Sequence, residues 1–177
     1  MKKFKIIFII ALFFSNHTYA FFEKNSSFQN STYDVCFTPG EDCTTLIVKT
    51  ISSAKNELLI QAYSFTSAPI AKAVVEAQKR GVKVRVILDK SQFSQKYSAS
   101  KFLQHENIPV WNDKKVAIAH NKVMVIDDEI VITGSFNFTK AAQFKNAENL
   151  LIVYDKKFAA KYKKNWYDRL NVSEKIN

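Results

Sequence analysis

His120 and Lys122 stand two residues apart in a largely apolar run, Val116 to Ile126, that reads as a β-strand. Period-two alternation then sends both side chains to one face. An imidazole with a fixed cation at its edge suits a phosphate. The ammonium holds non-bridging oxygens while the His works on phosphorus or on a leaving oxygen. A tight acidic turn, Asp127-Asp128, follows, and a second strand, Glu129 to Thr133, runs back to Gly134. Ser135 and Asn137 are again two apart. Laid beside His120 and Lys122, they add a hydroxyl and an amide to the same anion site, and Gly134 permits a close backbone approach. Glu148 is the natural candidate to orient the imidazole. A carboxylate on Nδ1 fixes the tautomer and leaves Nε2 as the attacking atom. Asp127 has the opposite parity to His120 and Lys122, which makes it a structural charge at the strand end rather than a general base.

The elements that must place these residues are legible as alternating patterns. Thr44 to Ala54 has helical spacing, and Leu58 to Phe65 reads as a strand. Ser67 and Pro69 open a helix that Gly81 ends, and Val82 to Leu88 alternates as a strand does. Tyr97 to His105 is helical, and Ile108 to Trp111 is a short strand. Asn149 to Tyr154 is another strand, and Asp155 caps a last helix carrying Phe158, Tyr162, Trp166 and Leu170 at spacing four. Strands and helices interleave, which predicts an α/β fold: one mixed β-sheet flanked by helices on both faces.

Composition narrows the chemistry. The chain has 177 residues, enough for one domain, with 47% apolar residues to form a core. Its three glycines are far apart, which excludes a GxGxxG loop and a Walker loop. Two Cys and three His, with no CxxC and no HExxH, make a dedicated metal site and a cofactor unexpected. The acids Asp127, Asp128 and Glu129 read as a solvated hairpin tip rather than a cation site. A formal charge of +10 favours polyanionic partners, nucleic acid or an anionic lipid surface. Lys79, Arg80, Lys83, Arg85, Lys114, Lys115 and the lysines of the last helix are the candidates for phosphate contact.

The N-terminus sets the compartment. Lys2, Lys3 and Lys5 precede nine apolar residues, Ile6 to Phe14, and small residues at Thr18 and Ala20. This pattern is a secretory signal peptide, residues 1–20, and the stretch is about half of the ~20 residues a membrane span needs. A loose Ser/Asn-rich leader, 21–33, and a catalytic domain, 34–177, complete the expected organisation. Export to the periplasm or exterior allows a disulfide between Cys36 and Cys43, stapling the entry to the first helix.

His120-x-Lys122, then Asp127, then Gly134-Ser135-x-Asn137 resembles the HKD signature of the phospholipase D superfamily. Ala62 to Lys90 and the Asn146-Ala147-Glu148-Asn149 segment extend the resemblance over nearly the whole mature domain. The chain looks most like the small bacterial branch of metal-independent periplasmic endonucleases with one HKD copy. The resemblance implies a covalent phosphohistidine on His120, phosphate binding by Lys122 and Asn137, assistance from Ser135, and orientation of the imidazole by Glu148. Asp127 enters the site only as the signature's acid. It further implies an exported, metal-independent phosphodiesterase acting on nucleic acid. Phospholipase D activity on phosphatidylcholine-like lipids is the alternative, and a non-catalytic DNA-binding or uptake module is a third. A homodimer sharing one active centre is expected, because the reaction wants two imidazoles and only His120 sits in a motif.

Overall fold

The computed structural model describes residues 31–176. The expected signal peptide and most of the expected leader lie outside them. The leader's last two residues, Thr32 and Tyr33, are not loose: they open an edge strand, β1 (Thr32–Thr38), which pairs with β7 (Glu148–Tyr154). Between them come α1 (Cys43–Ser52), β2 (Glu57–Ala62), α2 (Ala68–Lys79), β3 (Lys83–Asp89), α3 (Ser100–His105), β4 (Val110–Asp113), β5 (Lys122–Ile126), β6 (Ile130–Gly134) and α4 (Lys140–Phe144). After β7 follow α5 (Lys156–Leu170) and a short β8 (Glu174–Ile176). All eight strands form one sheet in the order β1-β7-β6-β5-β2-β3-β4-β8. β2, β3 and β4 are parallel, and the remaining pairings are antiparallel, so the sheet is mixed as expected.

Strand alternation divides the core between two faces. Leu58 and Ile60 of β2, Val84 and Val86 of β3 and Met124 of β5 share one cluster with Ile47 and Ile51 of α1 and Ile70 and Val74 of α2. The intervening residues Leu59, Ile87, Val123, Val125 and Val131 pack against Ala159 and Trp166 of α5. Trp166 is fully buried, and its Nε1 donates to Ile60 O at 2.9 Å. Asp155 caps α5 by accepting from Phe158 N at 2.7 Å. Near its other end Arg169 grips the buried Asp113 of β4 through both carboxylate oxygens, at 2.8 and 2.6 Å.

The register sets two ends to the sheet. Ala62 at the end of β2 faces Lys122 at the start of β5, while Leu58 faces Ile126 at the other end. Beyond Ile126 the chain turns through Asp127 and Asp128, both left-handed with φ of 52° and 60°. Such a two-residue turn matches the twist of a hairpin, and Asp tolerates it better than most residues. The Asp127 carboxylate accepts three backbone hydrogen bonds, from Lys55, Asn56 and Glu57, at 2.7 to 2.9 Å. It therefore clamps the α1–β2 loop to the β5–β6 turn.

Residues 116–121 depart from the expected strand. They run irregularly, and β5 begins only at Lys122. One cause is visible: Ala119 N donates to Asp89 Oδ2 at 2.7 Å, so a side chain rather than a ladder fixes that backbone. The Cys36–Cys43 disulfide joins β1 to the first residue of α1, with both sulfur-bearing residues buried.

Two stability predictions follow from these ties. A loop this short is worth about 2.5 kcal/mol by chain entropy, so reduction should lower the melting temperature by about 5–10 °C. Thiol titration of the native protein should find no free Cys, and two reactive thiols per chain would contradict the staple. Asp127→Ala frees three backbone donors and should cost about 2–3 kcal/mol, read by denaturant melts. Well below the melting transition its turnover should match wild type, and a large fall in kcat there would return Asp127 to the chemistry.

Candidate active site

One short segment stitches the two halves of the signature together. Just past β2, Tyr63 N donates to Asn121 O at 2.7 Å, beside His120. Two residues on, Phe65 bridges to Phe138, and Thr66 N and Ser67 N both donate to Phe138 O at 2.9 Å. Phe65, Phe136 and Phe138 are fully buried, and the Phe65 and Phe138 rings meet edge-on at 5.7 Å. Burial of Phe136 and Phe138 leaves Asn137 between two anchors. Sequence thus reaches its site through aromatic packing: the polar residues are held by the phenylalanines that alternate with them.

His120 and Lys122 meet as expected, although His120 precedes β5 rather than lying in it. Lys122 Nζ is 3.1 Å from both ring nitrogens of His120 and donates to His120 O at 2.9 Å. Lys122 is only 7% exposed, while His120 is open to solvent. Burial pushes the Lys122 ammonium below the usual lysine value, and the negative field of Glu148 partly restores it. Tyr63 completes the group. Its ring centroid lies 4.5 Å from that of His120 and 5.1 Å from Lys122 Nζ. The sequence reading placed Tyr63 in a strand and gave it no role. Its available signal was an aromatic directly after β2, where the sheet end meets the signature.

Gly134 ends β6 with φ of 135°, and a Cβ there would lie 2.4 Å from Asn149 O. That carbonyl accepts from Ser135 N at 3.1 Å and Phe136 N at 3.2 Å, so the glycine lets β7 hold the loop by its backbone. Ser135 Oγ donates to Glu148 Oε2 at 2.5 Å and accepts from Asn149 N at 3.0 Å. Asn137 Oδ1 is buried without a hydrogen-bond partner among the described residues.

Glu148 corrects one expectation. Its oxygens accept from Ser135 and, at 2.8 Å, from Asn146 Nδ2, and it makes no hydrogen bond to His120 within the described chain. It opens β7, where the β6–β7 pairing brings it to Ser135 rather than to the imidazole. Asp127 lies at the opposite end of β5, about 17 Å from Lys122 at 3.4 Å per residue, and touches none of the site residues.

The expected phosphate contacts divide in the same way. Lys79, Arg80 and Lys83 sit where α2 ends and β3 begins, at the end of the sheet away from His120. Arg80 instead reaches the α1 carbonyl of Ile51 at 3.2 Å. Arg85 is structural: it pairs with Glu57 at 2.6 Å and lies against Trp166 and Tyr167, 5.1 Å from each centroid. Lys163 of α5 bridges Glu57 and Asp128 at that same far end. Lys114 and Lys115 follow β4 and do belong to the His120 end. Buried Asp89 holds the backbone next to His120 by accepting from Ala119 N. Burial alone would raise its carboxyl, but hydrogen bonds from Ser91 and Ala119, helped by Lys90, hold it below the usual carboxylate range. Among the described residues no group of His, Cys, Asp and Glu could hold a metal ion.

Residues 47–170 match the family described as "Cardiolipin synthase, PLD-like domain". The chain is 43% identical over 152 residues to a phospholipase D of Rickettsia prowazekii, spanning 86% of this chain and 74% of that one. It is 46% identical over 144 residues to a phospholipase D of Rickettsia conorii, spanning 81% and 72%. Among solved structures, Nuc of Salmonella typhimurium, a phospholipase D family member, superposes with a TM-score of 0.79 at 35% identity over 83% of this chain and 99% of that one. NucT of Helicobacter pylori gives 0.77 at 30% identity, over 82% and 99%. With the signature residues gathered at one end of the same mixed sheet, the chain belongs to the phospholipase D superfamily and is a phosphodiesterase of that family.

Proposed function

We propose that this protein is an exported phosphodiesterase that cleaves nucleic acid without a metal, through a phosphohistidine on His120, as a homodimer with one shared active centre. The observation that carries the chemistry is the Lys122 ammonium, nearly buried, against both ring nitrogens of an accessible imidazole. Lys122 supplies at phosphorus the positive charge that a metal supplies elsewhere. Nε2 of His120 forms the N–P bond as the P–O bond to the leaving group breaks. The leaving oxygen takes a proton from a second imidazole. Water then attacks phosphorus, gives that imidazole its proton, and breaks the N–P bond.

The second imidazole motivates the dimer. Beyond residue 20 the chain has only His105 and His120. His105 ends α3, which runs from the His120 end of the sheet toward the other, and its side chain is 86% exposed beside Glu106. A two-fold axis would bring a second His120 face to face with the first. Nucleic acid is favoured by the net charge, +10 over the whole chain and +7 once Lys2, Lys3 and Lys5 leave with the expected signal peptide, and by Lys115 at the His120 end, beside Lys114, which pairs with Glu174. A phospholipid substrate is the second reading. It is favoured by the names of the Rickettsia relatives and by exposed Ile118 and Phe144 on segments flanking the site.

Purified protein should nick plasmid DNA in excess EDTA, and His120→Ala should lower the rate by roughly 10⁴-fold or more. Loss of cleavage in EDTA with recovery in Mg²⁺ would remove the metal-free mechanism. Release of headgroup from phosphatidylcholine vesicles, with DNA left intact, would select the lipid reading. Wild type and His120→Ala, mixed in equal amounts, unfolded and refolded, should retain roughly one quarter of the starting activity per chain if both imidazoles are needed. Roughly one half means independent sites and would sink the shared centre.

A further inference from the structure

The His120 ring is held by surprisingly little of the signature itself. It stands before β5, outside the ladder, on a segment without regular structure. The carboxylate of Glu148 is engaged by Ser135 and Asn146. Within the described chain Lys122 meets the imidazole at its nitrogens and Tyr63 meets it against its ring. The Tyr63 and His120 planes are inclined by 53°. The same tyrosine ring lies 5.1 Å from Lys122 Nζ. Tyr63, His120 and Lys122 thus form a closed triangle, in which one aromatic ring touches both groups that act on phosphorus.

The backbone that carries the ring is well anchored. Tyr63 N donates to Asn121 O, the residue between the other two corners. Phe65, two residues later, is fully buried, and its N–H donates to the buried Gln92 side chain at 3.0 Å. An aromatic face beside a nucleophile with two side-chain torsions restricts where Nε2 can point, and a small misplacement of a reacting atom is costly in rate. The π face toward Lys122 also gives the nearly buried ammonium an attractive surface that carries no competing negative charge. A carboxylate in that place would compete with the substrate phosphate for Lys122.

We infer that Tyr63 is a positioning residue whose ring, rather than its hydroxyl, aims the His120 imidazole and seats Lys122 for attack on phosphorus. This role rests on His120 being the nucleophile, and the test separates the two. Full-length wild type, Tyr63→Leu and Tyr63→Phe are assayed with bis(p-nitrophenyl) phosphate, and the same proteins, labelled at histidine, are examined by NMR. Tyr63→Leu should lower kcat by about 10- to 100-fold with KM nearly unchanged, and Tyr63→Phe should recover most of the loss. His120 ring protons should carry a ring-current shift in wild type and Tyr63→Phe that disappears in Tyr63→Leu, with the melting temperature as a check on folding. Wild type inert toward the diester, DNA and phosphatidylcholine vesicles alike would defeat the nucleophile reading, and the NMR shifts would still decide whether Tyr63 sets the ring. Unchanged kcat in Tyr63→Leu, a loss confined to KM, or Tyr63→Phe as slow as Tyr63→Leu would overturn the proposal. So would His120 signals insensitive to the substitution.

Discussion

A lysine ammonium has been drawn into the end of a β-sheet, and most of the local architecture answers to that. Removing a charge from water costs several kcal/mol unless partners replace the solvent. Lys122 finds a carbonyl, two ring nitrogens and an aromatic face, and the nearest carboxylate whose field it feels is already occupied by a serine and an asparagine. These partners are enough to keep the group in place and leave its charge uncancelled. The set is open to an anion, and a phosphodiester supplies one together with the phosphorus that His120 is proposed to attack. Small residues make the space: Ala62 faces Lys122 across the β2–β5 pairing.

The mixed sheet separates two kinds of work. At one end, loops after β2, β3, β4 and β6 bring chemistry together from distant parts of the sequence. At the other, charged residues hold elements to each other. Glu57 receives Arg85 and Lys163, and Lys163 also reaches Asp128 in the β5–β6 turn. The basic character of α5 is therefore not a single property. Lys163 is spent on docking the helix, whereas Lys156 and Lys157 lie exposed in its first turn.

The parallel heart of the fold was readable because β2, α2 and β3 each carry a clear period, with Pro69 and Gly81 marking the helix ends. The helix over Cys43–Ser52 and the capped α5 were readable for the same reason. β1, β8 and α4 were not. β1 exposes its apolar side, Tyr33, Val35 and Phe37, and buries only Cys36 and Thr38 on the other, the reverse of the pattern that marks a half-buried strand. The site's membership was legible from spacing, but its wiring was not. Glu148 was expected at the imidazole, and strand pairing gave it to Ser135 instead. Tyr63 was invisible because nothing in its neighbours' spacing tells that Asn121 will accept its N–H. Charge alone also said nothing about ends of the sheet, which is why Arg85 was counted with the phosphate contacts although it sits against Trp166 and Tyr167.

The acid of the signature has the widest consequence. Asp127 spans from a left-handed turn to three consecutive backbone donors, and none of those bonds reaches the reacting groups. A motif written as one string of letters thus mixes two inventories, one for reactivity and one for scaffolding, separated by the length of a strand. The letters are not interchangeable as diagnostics. A chain that keeps the His, Lys and Asn but closes its hairpin by another route retains every group proposed to touch phosphate. A chain that keeps the Asp and loses the Lys retains the hairpin and forfeits the anion site. Sorting family members by the position of each letter in space, rather than by the intactness of the string, separates working enzymes from well-folded remnants.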